Sequence, residues 1–204
     1  LTVPQVTRQG KIGKKSPQLR SLALIAVGSN QGLRNGTPHD TVLNALKEFP
    51  VKVGSIRAFS RLFRTAAFPA GSGPDFVNAA FALETELDAA DLLSHLHEVE
   101  SLFRRNRTKR WGPRTLDLDL IAMADQVLPD RETFDHWAQL PIDQQMTTSP
   151  ERLILPHPRV HERAFVLIPL ADVAPEWRHP VRGVSVQEMV DALPENLKNE
   201  VEPL

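Results

Sequence analysis

Asp117 and Asp119 stand one residue apart in the stretch TLDLDL. Six cations precede them around Trp111: Arg104, Arg105, Arg107, Lys109, Arg110 and Arg114. Residues i and i+2 of a strand share a face, with Cα atoms about 7 Å apart. Two carboxylates so placed can share a hard cation such as Mg2+, which takes one or two protein carboxylates and completes its octahedron with phosphate oxygens and water. An isolated D-x-D also suits an ordinary half-polar strand, so the neighbours decide the reading. A cation-rich loop beside carboxylates is what phosphoryl transfer needs, because neutralising and positioning the phosphates is most of the catalysis. The rival reading is a charge cluster closing a helix, where cations complement the macrodipole. Gly112 and Pro113 argue against a continuing helical face and for a loop that closes over a phosphate.

Two other stretches bear on chemistry. His157 lies between Pro156 and Pro158, with Arg159 and Arg163 following; a lone histidine supports a phosphate site without defining one. Gly28 to Gly32 reads GSNQG, which lacks the Lys-Ser/Thr of a P-loop and the three glycines of a dinucleotide fold. A tight turn after a strand accounts for it.

These residues need a scaffold, and the chain describes one. Leu22 to Asn30 is a short apolar run ending in turn residues, a buried strand entering a loop. Thr37 and Pro38 cap and open a helix whose stripe is Val42, Leu43 and Leu46, stopped by Pro50. Val51 to Phe63 forms a second, interrupted strand, RTAAFPAGSGP a loop, and Phe76 to Leu87 a third strand. Asp88 opens a helix carrying Leu92, Leu96, Val99 and Phe103. In the next strand Leu116, Leu118 and Leu120 face one way and the aspartates the other. The order βαββαβ predicts an α+β fold, a ferredoxin-like core with an antiparallel sheet and helices on one face. Residues 128–151 read as a polar surface insertion in which Trp137 is the anchor. A helix is expected from Val160, and Ser185 with Glu188 forms a capping box for a last short helix.

Composition narrows the function. The 204 residues are 41% hydrophobic and 24% charged with net charge -1, so no global field marks a nucleic-acid or membrane binder. There is no cysteine, which excludes disulfides and thiolate chemistry. No apolar run approaches the roughly 20 residues of a membrane helix. Residues 1–20 read as a flexible basic tail and 21–204 as a single catalytic domain. Two rivals remain at this level: a Mg-dependent nucleotidyl- or glycosyltransferase using the D-x-D pair, and a nucleic-acid binding module built on the basic stretch.

From about Ala23 to Trp177 the chain resembles the 6-hydroxymethyl-7,8-dihydropterin pyrophosphokinases. RWGPRTLDLDLI is the most specific element; AVGSN, FRT, DFVNAAFALET and LPHPRVHERAF occur in the family's order. The resemblance implies transfer of pyrophosphate from ATP to a pterin alcohol, releasing AMP, with Asp117 and Asp119 binding two Mg2+ ions. Arg105 and Arg114 would be the catalytic loop cations, and Trp111 would close the loop. Glu100, Arg107, Leu120, Arg152, Ile154, His157 and Arg163 fall where the family contacts ATP. Phe76 and Phe165 match the rings that sandwich the pterin, while Asn78 and the backbone around Thr65, Ala66 and Phe68 match its hydrogen-bonding wall. A planar heterocycle requires that combination of stacked faces and polar edge. The implied partners are small molecules, with no nucleic acid and no membrane, and the implied enzyme is a cytoplasmic monomer. Two residues depart from the pattern: Phe63 stands where the family often has tyrosine, and Ala66 where proline follows the threonine. The segment after Leu128 is longer than in compact members.

Overall fold

The computed structural model describes residues 20–33, 36–49, 53–67, 73–103, 115–141, 144 and 147–204. The expected basic tail, apart from Arg20, and the arginine loop of residues 104–114 lie outside them.

β1 (Ser21–Ser29) runs through the middle of a six-stranded sheet, antiparallel to β4 (Phe76–Thr85) on one side and to β5 (Asp117–Met123) on the other. β2 (Ser55–Phe59) and β3 (Phe63–Thr65) both pair with β4, so they are one strand broken at residues 60–62. At the break, Ser60 Oγ accepts the Ala80 N–H at 2.9 Å, and Asp172 takes two guanidinium bonds from Arg61, each 2.9 Å. The interrupted second strand read from the sequence is this pair, shifted toward residues 55–65. β6 (Glu202–Pro203) adds to β3 at the far edge.

The sheet is covered on both faces. α1 (Pro38–Ala45) starts at Thr37 in a reciprocal capping box with Asp40, and α2 (Ala89–Leu102) at Asp88, whose carboxylate accepts the Asp91 N–H at 2.8 Å. With Ile25, Val27, Phe81, Leu83, Leu118 and Leu120 from the sheet, their Val42, Leu92, Leu96 and Val99 form one core. In the expected α1 stripe Val42 is buried, but Leu43 is 37% exposed and Ala45 takes the inward position. On the opposite face α4 (Ala164–Val173) and α5 (Val186–Asp191) pack Val166, Leu167, Leu170 and Met189 against Leu24, Ala82 and Ile121. The one-face arrangement expected of the core therefore holds for α1 and α2, and the C-terminal additions build a third layer. That is why β1 reads as an unbroken apolar run: it is buried on both sides. α6 (Glu195–Asn199) follows α5. The predicted Ser185–Glu188 capping box is present at α5, and the helix expected from Val160 begins as a 3-10 turn (Val160–Glu162) before α4.

The polar stretch after Leu128 carries structure its sequence did not reveal. α3 (Arg131–Gln139), capped by Asp130, buries Phe134 to 1% exposure, edge-on to the His179 ring at 5.6 Å. Phe134 is the buried anchor and Trp137 is only half-buried.

Candidate active site

Cross-strand partners share a face, so the register reads out the site. Asn78 of β4 pairs with Gly28 of β1, and Gly28 with Asp117 of β5; the next row is Ala80, Ala26 and Asp119. Beyond Asn78 lie Phe63, its partner on β3, and the pair Thr65–Phe76 at the strand ends. All of these positions lie on the face that α4 and α5 cover at its other end. Ala26 and Ala80, 8% and 0% exposed, are themselves packed into the core under that layer, which leaves Gly28 as the floor between a polar amide on one side and two carboxylates on the other.

Gly28 makes that floor possible. A Cβ there would lie 2.9 Å from Asn78 Oδ1, so only glycine lets the amide rest against β1. Asn78 is 6% exposed, and its Nδ2 donates to Thr65 Oγ1 at 2.8 Å. That bond orients the amide. The turn after β1 is tied down by Asn30, whose Nδ2 donates to the Pro74 carbonyl at 3.2 Å.

The acidic side is charge-balanced by the segment before α4. Arg163 Nη1 lies 3.8 Å from Asp119 Oδ2, with the two side chains 29% and 42% exposed. The same guanidinium sits 5.9 Å from the centre of the Phe165 ring, which is 42% exposed. His157 donates its backbone N–H to Ile121 O at 2.7 Å, and its Nδ1 accepts the Arg159 N–H at 3.2 Å. Burial, and then the nearby Arg163 and Arg159 charges, hold His157 well below the usual imidazole range despite Asp117. The ring is therefore neutral at pH 7, with Nδ1 engaged as an acceptor and Nε2 carrying the proton as a donor.

The donor set suits a cation carried in by a ligand. Among the described residues no group of three or more His, Cys, Asp or Glu side chains is placed to hold a metal. Asp117 and Asp119 alone are too few for a closed cage but match Mg2+, which keeps water and phosphate oxygens in its shell.

Residues 24–175 match the family described as 7,8-dihydro-6-hydroxymethylpterin-pyrophosphokinase (HPPK). The chain belongs to this family. A 2-amino-4-hydroxy-6-hydroxymethyldihydropteridine pyrophosphokinase from Synechocystis is 32% identical over 176 residues, 86% of this chain and 77% of the relative. One from Pseudomonas aeruginosa is 36% identical over 171 residues, covering 83% and 90%. Among solved structures, Plasmodium falciparum HPPK-DHPS, wild type with pterin and p-hydroxybenzoate, aligns with a TM-score of 0.62 at 15% identity, covering 87% of this chain and 44% of that one. At that identity the likeness establishes the α+β fold. The chain spans under half of that longer protein.

The family's expected positions can now be located. Thr65, Phe76, Asn78, Asp117, Asp119, His157, Arg163 and Phe165 belong to the neighbourhood described above, and Ala66 is exposed just after β3. Leu120 and Ile154 are 4% and 5% exposed, so their side chains are covered and only backbone groups remain for a nucleotide. Arg152 is exposed. Phe68, Arg105, Arg107, Trp111 and Arg114 lie outside the described residues. Glu100 does not open onto a ligand surface: it is 1% exposed, and Oε1 accepts the Leu118 N–H at 2.9 Å. The reading from sequence assigned GSNQG to a tight turn after rejecting phosphate loops, and so gave Gly28 no place in the site. A glycine at the end of a buried apolar strand is itself a sign of close approach.

Proposed function

We propose that the enzyme transfers pyrophosphate from ATP to the hydroxymethyl group of 6-hydroxymethyl-7,8-dihydropterin and releases AMP, a step of folate biosynthesis. The observation that supports this reading most is the row Asn78–Gly28–Asp117, in which an amide and a carboxylate share one face of three adjacent strands. The flat pterin lies by Gly28, its edge meeting the Asn78 amide and the Thr65–Phe68 backbone, with Phe76 and Phe165 as its stacking partners. Its hydroxymethyl oxygen then points toward the β5 side.

Attack by that oxygen on the β-phosphorus breaks the bond to the α–β bridging oxygen. AMP leaves, and the hydroxyl proton is lost. Asp117 and Asp119 would hold Mg2+, two ions on this reading, and the bound cation would supply charge neutralisation for the phosphate oxygens. Arg163 adds a fixed positive charge beside Asp119, and neutral His157 offers an N–H donor without adding charge. Arg105 and Arg114 remain the loop cations of this reading, with Trp111 closing the site against water. Arg107, Leu120, Arg152 and Ile154 complete the proposed ATP side. The partners are free small molecules and the enzyme acts as a cytoplasmic monomer; the net charge of -1 gives a nucleic-acid partner no support.

The test is AMP formation from ATP and Mg2+ with and without hydroxymethyldihydropterin. Pterin-dependent AMP is expected. AMP release that ignores the pterin would point instead to a nucleotide hydrolase or another transferase built on the same carboxylates.

A further inference from the structure

α2 presents Leu96, Val99, Glu100 and Phe103 at the i, i+3, i+4 and i+7 positions of its inward stripe. Three are apolar, and the fourth is a carboxylate buried to 1% exposure. A charge so placed is tolerated only where it makes hydrogen bonds that offset its lost hydration. One of these is specific: Oε1 accepts the backbone N–H of Leu118, the residue between Asp117 and Asp119, at 2.9 Å.

The position of β5 gives that bond its meaning. Among the described residues β5 is an end strand, so one side of its backbone has no strand neighbour there. Because an antiparallel strand alternates its hydrogen-bonding sides, an outward Leu118 amide turns the backbones of Asp117 and Asp119 toward their β1 partners, Gly28 and Ala26. Glu100 therefore closes the free edge at the point where the carboxylate pair is centred. Farther along, the His157 N–H closes the same edge on Ile121 O at 2.7 Å. Asp119 lies between these two ties and Asp117 immediately before the first.

We propose that Glu100 is a positioning residue: by holding the backbone at Leu118 it fixes the spacing and direction in which Asp117 and Asp119 present their carboxylates to the divalent cation that accompanies the nucleotide. This rests on the reading of those aspartates as cation ligands, and it gives Glu100 a role from inside the protein instead of a direct contact with ATP. Support of this kind for metal ligands typically changes metal affinity by about 10–100-fold.

The test compares Glu100→Met, which fills the same space without an acceptor, with Glu100→Gln, which keeps an acceptor oxygen. Mn2+ binding is read by electron paramagnetic resonance on the full chain with α,β-methylene-ATP, nucleotide affinity is read separately in EDTA, and exchange of the Leu118 amide is read by NMR. The Met variant should weaken Mn2+ binding by about 10–100-fold and speed Leu118 exchange while leaving metal-free nucleotide affinity near the wild-type value. The Gln variant should stay near wild type in all three. Unchanged Mn2+ affinity in a folded Met variant overturns the proposal, and so does an equal loss of metal-free nucleotide affinity in both variants, which would mean direct contact. Should the Met variant not fold, the Gln variant decides: Mn2+ affinity and Leu118 exchange near wild type support the proposal, and a loss of Mn2+ affinity without faster exchange overturns it. Absence of pterin-dependent AMP in the wild type would remove the assigned reaction but leave the Mn2+ and exchange results to decide the role of Glu100.

Discussion

Two adjacent rows across the same three strands show how differently the faces of this sheet are built. One row is Phe81, Ile25 and Leu120, and the next, one residue along each strand, is Ala80, Ala26 and Asp119. The first belongs to the core under α1 and α2. In the second, Ala80 and Ala26 are buried under the C-terminal layer, while Asp119 and the neighbouring row of Asn78, Gly28 and Asp117 belong to the candidate site. The first row maximises buried apolar area, at about 25 cal/mol per Å2. The second and its neighbour replace large apolar side chains with Ala, Gly and polar groups. The contrast teaches that the site is made by small side chains on a strand otherwise built for burial, with rigidity supplied by the packed face beneath it.

Breaking the acidic end of the open row should have the largest effect. Asp117→Ala and Asp119→Ala should each lower pterin-dependent AMP formation on the order of 10³-fold or more, by removing fixed charge at the transferring group, while circular dichroism and the denaturation midpoint stay near wild type. Near-normal turnover in both variants would detach the carboxylates from catalysis.

Filling the floor is the next test. In Gly28→Ala the new methyl would meet Asn78 Oδ1 at 2.9 Å, so the amide must move. A displacement of that kind is expected to cost on the order of 10–100-fold in kcat/KM for the pterin, with ATP binding little changed when measured by calorimetry. Equal loss for both substrates would show that the whole end of β1 had shifted.

On the closed row a comparable change should act on stability alone. Ile25→Val removes one methylene from a fully buried site and should cost about 0.5–1.5 kcal/mol in chemical denaturation, with kcat and both KM values retained.

The smallest effect distinguishes the two helical layers by pH. His157, His161 and His179 all belong to the chain beyond β5. Burial holds each below the usual imidazole range, well below for His157 and down to about 4 for His179. For His161 the Arg182 guanidinium adds to this, its Nη2 lying 2.7 Å from Nε2. A group that binds protons less readily when folded makes the unfolded state the stronger proton acceptor. Stability from these groups is therefore complete above pH 6.5 and declines as the pH falls from there toward 4. Denaturation midpoints between pH 7.5 and 4.5 should fall, and amide exchange at pH 5 should rise in α4 and α5 before α2. A uniform rise in both layers would place the acid sensitivity elsewhere.

How much of this was legible in the chain varies with the range of the interactions. The caps at Thr37, Asp88 and Ser185, the alternation of Leu116, Leu118 and Leu120 and the stripe of α2 are local patterns, and each was read correctly because helix and strand periods are properties of a few residues. α3 escaped because its single buried side chain, Phe134, is held by His179 from a distant segment, and one apolar residue sets no period. Leu43 was placed inward because a stripe cannot show which of two adjacent apolar residues the sheet will meet. Glu100 stood on the apolar stripe in plain view, four residues after Leu96, and a charged residue there was a usable signal.

By itself the sequence determined the identity and pairing of the chemical groups: two carboxylates on one side of a strand, a cation-rich stretch before them, and the family to which these motifs belong. Only the tertiary structure decided that Asn78, Gly28 and Asp117 share a row, that the C-terminal helices close the second face, and that Glu100 turns inward to the edge of β5. The physical reason is that periodicity is set by bonds between near neighbours, whereas register and layer contacts depend on segments tens of residues apart meeting in one packing arrangement.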